Sequence, residues 1–238
     1  MSLISNARGR TDVKDSGYYR VFNTIPKYDL IALEIASLLS KTQSTVISNG
    51  IHLEKSLIDT RYNKNVLHKK HSVYTLADLK NLQDGHYYKM ILYKDFFKCI
   101  GLPTLRKNYI ECDYIVVVSG TVFIYEIKDG DSFDTKKSQA ETENLQYIQK
   151  SFERTKLFSK VIVHIVLWNC DDIETNSFKC KIGKKMLLSG KTFSDMNTIN
   201  KKAIDRDRTL SNWSNVKYFV QHSKDIVKLF ETLKSRRD

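Results

Sequence analysis

A chain of 238 residues with 41% hydrophobic content is long enough for one sizeable core, and nothing in it requires a second. Its 39 Lys and Arg exceed 27 Asp and Glu, a formal charge of +12 that suits a polyanionic partner. With two prolines, no Gly/Ser-rich tract, no internal repeat, no apolar leader and no stretch near the roughly 18 apolar residues of a membrane span, the expectation is a soluble intracellular protein without a flexible linker or membrane segment.

Residues 1-28 mix Arg8, Arg10, Lys14 and Arg20 with Tyr18, Tyr19 and Phe22 in no helical or strand period, and read as a basic N-terminal arm. Asp29 to Lys41 reads as an amphipathic helix, with Leu30, Leu33, Ile35, Leu38 and Leu39 on its apolar side. A second helix is expected from Asn49-Gly50 through IHLEKSLIDTRY, because Asn is a good N-cap. At about 100° per residue from Ile51, Leu53, Leu57 and Ile58 fall near 200°, 240° and 340°, and Glu54 falls near 300°. Glu54 therefore lies inside the apolar arc, where a carboxylate needs a partner.

HKKH at 68–71 reads as a basic surface segment, and LADLKNL as a short helical turn. Tyr87 to Ile100 reads as a helix ending near Gly101-Leu-Pro103, although one strand of the core has no clear place in the sequence and is either continuous with Ile110 to Ile115 or lies around Lys89 to Tyr93. Gly101 to Asn108, carrying Arg106 and Lys107, is placed at the rim of a cleft, where both could meet nucleic acid.

The most informative stretch is Tyr109 to Lys128. Two β-branched and aromatic arms, Tyr109 to Val118 and Thr121 to Ile127, flank Ser119-Gly120, the signature of a two-residue hairpin. In that register Asp113 faces Glu126 and Glu111 faces Lys128, all four on one side of strands that are otherwise apolar on both faces. Opposed carboxylates repel and their desolvation is costly, and a divalent cation between them would remove the conflict.

Asp113 followed on the next strand by Glu126-Ile-Lys128 resembles the PD-(D/E)xK nuclease superfamily, with Cys112 where the family name has Pro. The resemblance covers mainly residues 49 to 168. It implies a restriction-endonuclease-like α/β (α+β) fold, a mixed central β-sheet flanked by helices, in which a nuclease core at 29-170 is followed by a C-terminal extension at 171-238 serving recognition or dimerisation. It also implies Asp113 and Glu126 as ligands of one or two Mg²⁺ ions, with Mn²⁺ substituting, Lys128 beside the attacking water, and Glu54 completing the shell directly or through water. The substrate is then nucleic acid, DNA favoured over RNA, cut as a restriction endonuclease cuts, with a homodimer as the assembly. A branched-DNA resolvase, an RNA endonuclease, an inactive nucleic-acid-binding protein and an interaction protein with charged edge strands remain open.

After the polar segment DGDSFDTKKSQ, a helix is expected over Thr135 to Lys156, with Leu145, Ile148 and Phe152 on its apolar face. Lys136 and Lys137 near its start are candidates for nucleic-acid contact, and Lys137 and Glu141 both approach the site. Lys160 to Trp168 reads as a buried strand in which His164 is a core histidine. Beyond it, FKCKIGKKMLLSGKTF is expected to form a hairpin, NKKAIDRDRTLSNWSN a basic loop or nucleic-acid contact, NVKYFV a short strand and Ser223 to Ser235 a closing helix. Cys99, Cys112, Cys170 and Cys180 form no CxxC pair and read as free thiols.

Overall fold

A computed structural model describes residues 17–22, 28–68, 70–103, 108–130, 135–173 and 184–235. The chain divides into two compact units, one of Met1–Leu53 with Ile204–Asp238 and one of Glu54–Ala203. Elements run α1 (Gly17–Phe22), α2 (Asp29–Leu57), β1 (Val66–His68), β2 (His71–Val73), α3 (Leu76–Lys80), β3 (Gly85–Tyr93), α4 (Lys94–Cys99), β4 (Tyr109–Val118), β5 (Thr121–Lys128), α5 (Thr135–Thr155), β6 (Lys160–Leu167), β7 (Leu187–Ser189), α6 (Gly190–Met196) and α7 (Lys201–Ser235).

The first unit is helical. As contacts on α2 advance from Tyr28 to Glu34 to Lys41, those on α7 retreat from Phe230 to His222 to Tyr218, so the two helices run antiparallel. α1 packs Tyr19 against Ala32 and Ala36, whose small side chains let it approach α2 closely. One face of α7 stays open: Trp213, Val216, Val220 and Val227 are each about half exposed and fall within an arc of about 60°.

The second unit is a mixed sheet in the order β1-β3-β4-β5-β6-β7, with β2 also paired to β3. β3, β4 and β5 are antiparallel, whereas β6 is parallel to β5 and β7 to β6. Parallel strands need a crossover, and α5 supplies it between β5 and β6. On one face α5 lays Leu145, Ile148 and Phe152 onto a cluster that includes Ile115, Val117, Val122, Ile124, Val163 and Ile165. On the other, Phe193 of α6 meets Tyr114 and Tyr125 edge-on at 5.5 and 4.9 Å.

The hairpin forms in the expected register, with Tyr114 opposite Tyr125 and Val118 opposite Thr121. Its turn residues Ser119 and Gly120 have φ of 48° and 75°, the doubly left-handed form whose twist matches that of the strands. The expected α5 and β6 differ from the observed elements by one residue at one end.

Other expectations are corrected. The helix expected over Tyr87 to Ile100 is strand β3 up to Tyr93 and helix only from Lys94. Its run YYKMILY is apolar on both faces, a pattern shared by buried helices and central strands. No cap forms at Asn49-Gly50, since α2 passes through it unbroken. Thr42 and Thr45 turn their hydroxyls back onto the Leu38 and Lys41 carbonyls, so the polar middle of the helix satisfies itself.

Within residues 201–235 the expected loop and short strand are one continuous helix, α7. Between Met186 and Phe193 the expected hairpin arm is parallel strand β7 followed by α6, and residues 174–183 lie outside the described residues. Gly17–Phe22, read as aperiodic, is helical.

By length and composition α2 is the one helix among the described residues that would pass for a membrane span, with mean hydropathy 1.2 over its best 18 residues. It holds no unbroken apolar run of that length: Ser, Thr and Gln interrupt it, and every 18-residue window of it carries Lys41.

Gly190 allows α6 to start against the end of β6. A Cβ at that position would lie 2.1 Å from the Trp168 carbonyl oxygen, a backbone atom that cannot swing aside. Gly190→Ala is expected to cost about 2–3 kcal/mol in urea unfolding, as overpacking does. An unchanged midpoint would show that this approach is loose.

Candidate active site

The site lies where β4 and β5 part. Their ladder is continuous from Val118–Thr121 to Tyr114–Tyr125 and then ends. Beyond that point β5 continues pairing with β6 through Glu126–Ile165 and Lys128–Leu167, while β4 continues with β3 through Cys112–Met90 and Ile110–Leu92. Asp113 stands in the fork. Its Oδ2 accepts the Ile127 backbone N–H at 2.8 Å, a side chain taking the place of the missing main-chain acceptor.

A second irregularity faces it. The β3–β4 ladder pairs Tyr88 with Tyr114 and Met90 with Cys112 but omits Lys89 and Asp113 between them. Lys89 has φ of 55°, left-handed and uncommon for a residue with a long side chain. The main apolar cluster takes Tyr87 and then Met90 and Leu92 from β3, and Ile115 and Val117 and then Cys112 and Ile110 from β4. Strict alternation would forbid that mixture, so both strands change phase at the Lys89–Asp113 position.

The side chains form two linked groups. In one, the Lys128 ammonium lies 2.5 Å from Glu126 Oε1 and 3.0 Å from Glu141 Oε1. In the other, the Lys89 ammonium lies 3.0 Å from both Glu54 Oε2 and Glu111 Oε1, and the Tyr88 hydroxyl donates to the same Glu54 oxygen at 2.9 Å. Asp113 joins the groups, because it interacts electrostatically with Lys128, Glu54 and Lys89, and Glu126 with Asp113.

Five carboxylates thus share two ammonium groups. Burial pushes the Asp113 carboxyl up to about 6, against the Ile127 N–H and Lys128, which pull it down. Burial, then Asp113, push Glu126 up to about 8, with Glu141 adding to the rise and Lys128 opposing it. For both lysines burial favours the neutral amine, but the flanking carboxylates outweigh it and raise them above their ordinary value. Cys112 is fully buried and its thiol is pushed well above the usual range, so it takes no ionic part.

The geometry therefore brings Glu54, Asp113, Glu126 and Lys128 together, and Glu141, expected to approach from the helix after the hairpin, lies beside Lys128. Glu111 is corrected: its partner is Lys89, not Lys128. A core strand around Lys89 to Tyr93 was one of the open expectations and is borne out by β3, but the role of Lys89 was not foreseen, although a lone lysine in an apolar run was a usable signal. His164 stacks on Tyr125 at 5.9 Å, and burial lowers its pKa. Arg106 and Lys107 lie outside the described residues, as do the side chains of Lys136 and Lys137 in the first turn of α5.

Among the described residues no group of three or more His, Cys, Asp and Glu is arranged to hold a metal ion. Two hard-oxygen donors with raised pKa values, Asp113 and Glu126, nevertheless fit a cation such as Mg²⁺, which commonly uses one or two carboxylates and completes its shell with water and phosphate.

These raised values fix the sign of a pH dependence. Each acid stabilises the fold below its ordinary value, 3.8 or 4.5, and loses that contribution as pH rises through about 6 for Asp113 and about 8 for Glu126. In EDTA, stability should fall between pH 4.5 and pH 8, and Glu126→Gln should flatten the upper part of the curve, a gain of more than about 1 kcal/mol at pH 8. Urea midpoints across that range test it, and parallel curves for the two proteins would contradict it.

No family model matches the chain and no solved structure does. A type II restriction enzyme, HhaII of Haemophilus parahaemolyticus, is 32% identical over 241 aligned residues that span 98% of this chain and 99% of that protein. At that identity over nearly the whole length of both proteins, the chain belongs to the type II restriction enzyme family.

Proposed function

We propose that this chain is a metal-dependent endonuclease of the PD-(D/E)xK superfamily that hydrolyses phosphodiester bonds in DNA, as a restriction enzyme does. The carrying observation is the fork itself, where the half-buried Asp113 and Glu126 act on each other and have raised pKa values, and Lys128 is pinned against Glu126. The relationship to HhaII supports DNA rather than RNA as substrate, and an intracellular setting.

In this reading Asp113 and Glu126 hold the ion, Mg²⁺ or in its place Mn²⁺. When bound, the ion lowers the pKa of a water and stabilises charge on the phosphate. Lys128 orients that water or balances charge on the phosphorus, and Glu141 keeps the ammonium turned toward the fork. Glu54 holds a water of the shell, since Lys89 and Tyr88 already engage its Oε2.

Purified protein incubated with plasmid DNA is expected to cut it in Mg²⁺ or Mn²⁺ and not in EDTA. Asp113→Asn, Glu126→Gln and Lys128→Ala should each reduce the rate by about 100-fold or more. Sequencing the ends should return one recurring sequence. Binding without cleavage in either metal would instead identify an inactive nucleic-acid-binding protein, and cleavage confined to RNA or to branched DNA would reassign the substrate.

We also infer that two copies act together, since two sites cut two strands, with residues 171–238 as the recognition or dimerisation part. The exposed stripe Trp213, Val216, Val220 and Val227 supports this, because an isolated chain leaves that apolar area in water. Sedimentation should give twice the chain mass, and Trp213→Asp combined with Val220→Asp should give the single chain. A wild type that sediments as a monomer at micromolar concentration and still cuts both strands would rule the dimer out.

A further inference from the structure

Lys89 of β3 is placed where it can decide how many ions the site takes. Lys89 sits at the one position that the β3–β4 ladder omits, opposite Asp113. Its left-handed backbone, φ 55°, is held there at a cost of about 1 kcal/mol or more. The side chain passes over the Tyr88 ring at 5.6 Å and ends with its ammonium 3.0 Å from Glu54 and 3.0 Å from Glu111.

We propose that Lys89 is a positioning residue of the active site: its ammonium fills the space between Glu54 and Glu111, keeps Glu54 from coordinating an ion directly, and limits each chain to one divalent ion, held by Asp113 and Glu126. This rests on the metal-dependent reading given above.

Two features support it. The ammonium is shared between acids from different elements, α2 and β4, so it occupies a position that neither acid alone would create. The Tyr88 hydroxyl donates to Glu54 Oε2 from the adjacent position on β3, so the same oxygen is held from two sides. A cation taking Glu54 as a direct ligand would have to displace the ammonium that Glu54 shares with Glu111, whose position is set by the sheet. Water-mediated contact from Glu54 needs no such displacement.

The test counts ions on the intact protein without DNA. Metal-stripped wild type, Lys89→Gly, Lys89→Met and Lys89→Arg are titrated with Mn²⁺, and bound ions are counted by calorimetry and by the loss of the free Mn²⁺ electron-spin-resonance signal. Lys89→Gly suits a left-handed backbone, so it removes the ammonium without adding strain. The double variant Asp113→Asn with Glu126→Gln supplies the background. The expected result is one ion per chain above background in the wild type and in Lys89→Arg, and two in Lys89→Gly and Lys89→Met. Adding Glu54→Gln to Lys89→Gly should return the count to one.

Two ions in the wild type, or one in a folded Lys89→Gly, would overturn the assignment. If the wild type binds one ion and cuts DNA while the Lys89 variants keep its count, the role of Lys89 fails and the nuclease reading stands. If the wild type binds no ion and cuts nothing, both fail.

Discussion

The structure depends on the way Asp113 and Glu126, both half-buried, are held against each other at the end of a ladder. A regular sheet would satisfy its backbone groups and leave no room for two carboxylates. Here β5 stays with β6 along its whole length while β4 leaves with β3, and the Asp113 carboxylate supplies the acceptor that the Ile127 N–H would otherwise lack. The acid is therefore structural and chemical at once: it closes the open end of the fork and is held there by doing so. Glu126 has no such backbone partner. Its charge is met by Lys128, and burial together with Asp113 still pushes its pKa up to about 8.

The surrounding elements serve this fork. α5 is needed as the crossover that makes β5 and β6 parallel, and it also carries Glu141 to the Lys128 ammonium. α2 ends at Leu57, so Glu54 lies in its last turn, where Tyr88 and Lys89 of β3 engage it. The change of phase at Lys89 and Asp113 turns both side chains out of the regular alternation together. The site thus sits beside the carboxyl end of β5, at the boundary between the sheet's antiparallel and parallel halves.

What was legible in the sequence follows from which physical signals are local. The hairpin register needed only a two-residue turn and period-2 alternation, and it fixed Asp113, Glu126 and Lys128 on one side. The placement of Glu54 survived a wrong helix boundary, because the angle between residues 51 and 58 is the same whether the helix begins at Asn49 or at Asp29. β3 was only half legible: Lys89 to Tyr93 was one of two places open for a missing core strand, but a run apolar on both faces carries no period, and the distinction between helix and central strand is made by the partners it finds, β1, β2 and β4. Without its register, Lys89 could not be seen as the partner of Glu111. In α7, Asn, Ser and Trp read as loop, yet the helix runs through them to the segment where Tyr218, His222 and Phe230 meet Lys41, Glu34 and Tyr28, partners nearly the whole chain away in sequence.

The net charge of +12 and the acidic fork make opposite demands on a phosphate. Surface lysines and arginines draw a polyanion in over distances limited by screening, about 8 Å at physiological salt. Within the fork the balance reverses, since five carboxylates face two ammonium groups and repel the phosphate that the rest of the chain attracts. In the proposed reading a divalent ion on Asp113 and Glu126 reverses the sign of the fork, so affinity for DNA and readiness to cut it are separable. On that reading the protein holds DNA through its surface without metal and cuts only where the ion has made the fork attractive to phosphate. The Lys89 proposal adds to the same balance: the ammonium shared by Glu54 and Glu111 neutralises part of the excess, and on that proposal the remainder is left to a single exchangeable cation.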